Sequence, residues 1–552
     1  MLLAGALVAL ATISPGQGTG NSDLGTIVGL GKIDFPNSGA PDAQEAFRRG
    51  VLLLHSFEYE DAAGEFQEAQ KIDPDFALAY WGEALTHSHP IWQEDDPKKA
   101  RAILARLAPS PAGRAAKAKT DRERGLLESL EILYGEGERP KRNRAYERKL
   151  AELQAAYPKD LEIAAFHSLS ILGTATNGRD IPTYMRAAAI AEEVFIANPD
   201  HPGALHYAIH SYDDPVHAPL GRRMANRYRK VAAAAQHALH MPSHIYVALG
   251  EWQASVNSNI DAAAAADERR ARKGLPVDDR GYHSLSWLAY SYLQLGQGQK
   301  SLELMHDMQA DVKESDSSSR SRYHLVSMRA HHVIALDAWK SEEAQFEVDV
   351  EGLSISSKAT EYFVRGVVRA RQRDAKGAEA ALTDLHTALG LPTAPLADDL
   401  AGCCAAPLEG FGEASPRRKA ALVLAEELAA FVALARREPE VALDHARVAC
   451  ELEDAMGFDF GPPIVTKPAH ELLGELLLGR GRPAEAVLEF EAGLRRAPRR
   501  ARMQLGLARA LERAGKTKRA LAVFREIATI WDAADEDYPG REDVRQAVGQ
   551  EW

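Results

Sequence analysis

Apolar residues recur at helical spacing along almost the whole chain, in paired segments separated by short turns. Within residues 59–74, Ala62, Phe66 and Ala69 fall on one helical face, and Pro74 ends the helix. The pattern returns as Ala486, Phe490, Gly493 and Pro498, and again as Ala520, Phe524 and Ile527. Gly481 and Gly515, each in a turn between paired helices, lie 34 residues apart. Leu249-Gly250-Glu251-Trp252 and Leu295-Gly296-Gln297 are further turn signals at longer spacing, so insertions interrupt the period. Small alanines let helices approach, and the aromatic fills the neighbouring unit. The pattern predicts stacked helical hairpins, clearest over 43–90 and 467–532, looser over 160–310 and faintest over 310–465.

Length and composition sharpen that picture. A chain of 552 residues exceeds what one compact core supports, so a solenoid or several domains are required. Aromatics make up only 7% and β-branched runs are scarce, which favours an all-α chain. The formal charge of −13, with no long basic tract, argues against nucleic acid as a partner. Cys403, Cys404 and Cys450 cannot form a disulfide framework, and an adjacent pair would make a strained bridge.

The predicted organisation runs in seven parts. Residues 1–18 read as a signal-like segment: an apolar run followed by small residues, though without a basic start. This predicts a periplasmic or secreted protein, with a cytoplasmic one as the alternative. A Gly/Ser/Pro-rich linker covers 19–42, a hairpin array 43–310, and more divergent hairpins 311–390. A loop and expected boundary at 391–416 precedes a helical connector over 417–466, and a repeat pair with a terminal helix fills 467–552. No stretch predicts a membrane span.

The candidate chemistry is concentrated in one place. Seven histidines lie between His201 and His244, four of them as HxxxH pairs, His206/His210 and His240/His244. Residues four apart share a helix face with Cβ atoms about 5–6 Å apart, so each pair can present two imidazoles to one point. Imidazole is the commonest transition-metal ligand side chain, which makes zinc, copper or iron the expected cofactor. Asp213 and Asp214 are near enough to orient the rings, as metal-bound histidines require, and His217 and His237 are close in sequence. Met241-Pro242 begins a new helix, so His240 is expected to cap it and to diverge from His244. The zinc-protease HExxH pattern is absent, and so are nucleophile, phosphate-loop and dinucleotide motifs. His55 and His283 read as core histidines, His87 and His89 as a surface turn, and Glu162 as part of a solvated face.

The 34-residue helix–turn–helix period resembles the tetratricopeptide repeat. That resemblance implies a right-handed superhelix, an α-solenoid whose first helices line a concave groove. It would place His206, His210 and His244 in the groove, with His167 from the preceding unit and Tyr207 and Tyr246 beside them. The phrases from Ala79 to Ala84, His206 to Ala218 and His237 to Ile245 also resemble a histidine-rich bacterial group of such proteins, which brings no settled activity. Two readings follow. One is a scaffold whose groove binds a protein segment, peptide or small ligand around a metal. The other is a metalloenzyme using a histidine-held ion, with Asp213 or Asp214 as base or orienting group.

Overall fold

The structure, a computed structural model, describes residues 26–176, 178–391, 415–458 and 460–549. The signal-like segment, much of the 391–416 loop, Cys403 and Cys404 lie outside them. The described residues form an α-solenoid in which each helix packs on its chain neighbours, with two-residue strand pairs as the β-structure. Among the described helices, none is long and apolar enough to cross a membrane.

The stacking rule is visible in atoms. Phe66 is fully buried, and a Cβ added at Gly50 or Gly82 would fall 2.8 or 2.3 Å from its ring. Phe490 stands the same way between Gly474 and Gly506, at 2.8 and 2.4 Å. In both triplets the glycines lie sixteen positions before and after the phenylalanine. One aromatic thus plugs the first helix of its own hairpin and the first helix of the next, and each plug needs two positions without a side chain. Gly82→Ala is accordingly expected to overpack the first hairpin and lower stability by about 1–3 kcal/mol, read as a smaller urea midpoint with an unchanged m-value.

Two expectations about organisation need correction. Residues 26–42 are no free linker: Leu30, Ile33 and Phe35 are buried, and Phe35 packs between Phe47 and Trp81. The Thr26–Lys32 hairpin is tied down where the Lys32 amide donates to Asp200 O at 2.9 Å and the Ala234 amide donates to Gly29 O at 2.9 Å. The segment around 391–416 is not a boundary in the fold, because helices Ile355–Arg371 and Pro416–Ala435 pack directly together. One hydrophobic core then runs from Val247 to Val544.

The C-terminal repeats fold back onto the middle of the chain. Trp252 Nε1 donates to Arg499 O at 2.9 Å, and Trp531 Nε1 donates to Gln294 O at 3.1 Å. Arg500 donates to the Tyr290 hydroxyl at 3.0 Å, and the Ala501 amide donates to Gln294 Oε1 at 3.0 Å. Pairing of these buried donors makes the closure specific, since polar groups hidden without partners would oppose it.

A candidate metal centre

Helix Pro202–Ser211 is capped by His201, whose Nδ1 accepts from the Ala204 amide at 3.2 Å. His206 and His210 fall on one face, with ring centroids 4.9 Å apart. Helix Gln236–His240 stops at Met241, and helix Pro242–Leu249 restarts at the proline. This kink was expected to turn His240 away from His244. It does the opposite: His240 Nε2 and His244 Nε2 stand 3.2 Å apart.

The other nitrogen of each ring is committed. His240 Nδ1 donates to Asn259 Oδ1 at 2.6 Å, and that amide is oriented by its own donation to Ser255 O. His244 Nδ1 donates to Asp213 Oδ2 at 2.5 Å. In a neutral ring whose Nδ1 donates, the lone pair lies on Nε2, so in that form the two Nε2 atoms face one another as two ligands of one ion would. Burial pushes His240 well below the usual histidine range. Two imidazoles on one tetrahedral ion at 2.0–2.1 Å stand about 3.3 Å apart, close to the spacing here.

The rest of the cluster adjoins this pair. His283, half-buried at the start of helix Tyr282–Gln294, has its ring centroid 4.5 Å from that of His240, and burial pushes it down to about 3. Suitable ligand atoms of His240, His244 and His283 all lie within 4.8 Å of one another. The same holds for His206, His210 and His237, and for His210, Asp213 and His244. His210 and His244 join the two histidine triplets, with centroids 5.4 Å apart.

Several expected residues stand elsewhere. His167 bonds to Gln154 and Glu147, and the Tyr246 hydroxyl donates to Asn226 Oδ1, so neither reaches the cluster. Asp214 pairs with Arg179 at 2.7 Å and with His217 at 2.9 Å. Arg179 in turn donates to the His210 and Ser211 carbonyls, so Asp214 steadies the end of that helix from behind. His89 bridges to Glu94 in a short strand pair and stacks on Tyr59, rather than lying in a surface turn.

Tyr207 faces a second buried network. Its hydroxyl lies 2.8 Å from His55 Nδ1, while His55 Nε2 lies 2.9 Å from Glu162 Oε2 and His201 Nε2 lies 3.1 Å from Glu162 Oε1. Glu162 is therefore fully buried, not solvated. Burial opposes its ionisation, yet His201 and His55 outweigh that and hold it down to about 2. The network braces helix Gln44–His55 against helix Pro202–Ser211.

Phe57 was invisible to sequence reasoning. It occupies the C′ position of helix Gln44–His55, where the Glu58 amide donates to Leu53 O and the Phe57 amide to Leu54 O. That position wants positive φ and usually holds glycine; Phe57 accepts it with φ 58°. Its ring lies 4.2, 5.9 and 5.7 Å from those of His206, His210 and His237, forming a lid over them.

Comparison with known proteins agrees with the architecture. Residues 472–539 match the family model described as tetratricopeptide repeat. Residues 472–539 are thus the part of the hairpin array that the tetratricopeptide-repeat model covers. Among curated proteins, no sequence matches it. Solved structures similar to it include the Cut9–Hcn1 hetero-tetramer of APC/C, at 11% identity and TM-score 0.33, covering 93% of this chain and 78% of that one. Human IFIT1 with m7Gppp-AAAA follows at 14% and 0.33, covering 91% and 92%. Yeast Tom70 follows at 14% and 0.26, covering 92% and 94%. Likenesses this remote transfer neither overall shape nor activity.

Proposed function

We propose that this protein is a metalloenzyme in which stacked repeats hold a transition-metal ion on His240, His244 and His283. The observation that carries the reading is the 3.2 Å approach of two Nε2 atoms whose Nδ1 partners are already committed. A carboxylate behind a ligating histidine, as Asp213 stands behind His244, is the usual support for such a ring. Three protein ligands with one position open is the pattern of catalytic rather than structural sites. A bound ion would polarise a substrate oxygen or lower the pKa of a coordinated water.

Enclosure favours an enzyme over a peptide-binding groove. His240 and His244 are each 2% exposed, where a concave recognition surface would leave them open. Asp213 also lines a cleft between the central helices and the folded-back C-terminal repeats, with Trp252, Tyr290, Phe458 and Arg496 on its walls. Tetratricopeptide hairpins usually serve as protein scaffolds, and the outer helix faces keep that use open alongside the metal.

Elemental analysis of untagged protein is expected to find at least one equivalent of zinc, copper or iron per chain. The paired variant His240→Gln/His244→Gln should lose the ion from this site while keeping its helical circular-dichroism spectrum. Metal-free native protein that also takes up no added Zn²⁺ would refute the assignment.

A further inference from the structure

The reading above uses one triplet of histidines and leaves its neighbour unexplained. His206, His210 and His237 project from helices Pro202–Ser211 and Gln236–His240 under the Phe57 ring. Their Nε2 atoms are all buried and find no hydrogen-bond partner among the described residues. Buried polar atoms in a folded protein are nearly always bonded, so three orphans in one cluster call for a ligand.

The chemistry of that ligand follows from the rings. His206 Nδ1 donates to His55 O at 2.7 Å, which leaves the lone pair on Nε2. The triplet contains no carboxylate, and an all-imidazole set suits zinc, copper, iron or nickel over calcium or magnesium.

We propose that His206, His210 and His237 form a second transition-metal site, making the histidine cluster a dinuclear centre with three imidazoles on each ion. The proposal rests on the first site as its neighbour but on different atoms. Asp213 belongs to the junction: with His210 and His244 it forms a third group of ligand atoms within 4.8 Å. Its Oδ2 is taken by His244, while Oδ1 is buried without a partner. It supplies the one anionic side chain among these groups, where two cations would otherwise repel.

The test is a count on the full-length protein, stripped with chelator and titrated with Co²⁺ or Zn²⁺. Two ions per chain are expected for the native protein. One is expected for His237→Gln and one for His283→Gln. With Co²⁺, the electron-paramagnetic signal per ion should be weaker in the doubly loaded protein than in either variant, because neighbouring ions couple. Should His237→Gln fail to fold, His206→Gln takes its place. One ion in the native protein, unchanged by His237→Gln and lost in His283→Gln, overturns the second site and leaves the first intact. Two ions in both the native protein and His237→Gln place the second ion elsewhere and also overturn it. No ion at all refutes both sites together.

Discussion

Glu471→Ala is expected to destabilise the folded chain by about 3–5 kcal/mol, the usual consequence of stripping one partner from a buried charge network. Glu471 is fully buried and meets Lys467 at 3.0 Å, Arg500 at 2.6 Å and Arg502 at 3.6 Å. Removing it strips Arg500 of its carboxylate in the seam where the C-terminal repeats close on helix Tyr282–Gln294, while Lys467 and Arg502 keep Glu475. Burial alone would raise the Glu471 carboxyl, but Arg500, Lys467 and Arg502 outweigh it and hold it far below the ordinary range. A carboxylate depressed in the folded state contributes stability that is full above its unfolded pKa, about 4.3. That contribution fades as pH falls towards the folded value. Urea melts across pH 2–7 check this: the native protein should lose stability below about pH 4.3, and the variant should be weaker and flatter over that span. A variant as stable as the native protein at pH 7 would show that the seam does not depend on this network.

Asp213→Asn is expected to weaken metal binding by about 10–100-fold, the effect typical of removing the carboxylate behind a ligating histidine. The amide keeps the volume but not the charge, so it no longer strengthens the His244 ring as a donor of electron density. Competition with a chelator of known affinity measures the change. Asp214→Asn is the internal comparison. Asp214 answers Arg179 and His217, not the ring nitrogens of the proposed ligands, so the metal affinity should be retained while stability falls. Equal losses in the two variants would mean that adjacent aspartates act only through the loop they share.

Much of the architecture was legible because it depends on local chemistry. Helical spacing of apolar residues, prolines at repeat ends and glycines in turns all report on neighbouring residues. The repeat match at 472–539 falls where those signals are strongest. The histidine phrases were equally visible, because an i,i+4 pair on a helix needs no tertiary information. His283 was harder to read: it is a lone histidine on an apolar helix, and only packing brings it to His240. Glu162 was misread for the related reason that a carboxylate in an amphipathic helix carries no mark of burial. Two histidines from separate helices, His55 and His201, make its site polar.

The sequence by itself determined the helices, their pairing and the supply of imidazoles, since these follow from periodicities of a few residues. Tertiary structure decided which imidazoles meet, how Asp213 differs from Asp214, and that the C-terminal repeats close on the helices carrying Trp252 and Tyr290. Those outcomes depend on contacts between residues up to about 250 positions apart, such as Trp252 with Arg499. Each is fixed by the pairing of buried polar groups, and that pairing leaves no periodic trace in the chain.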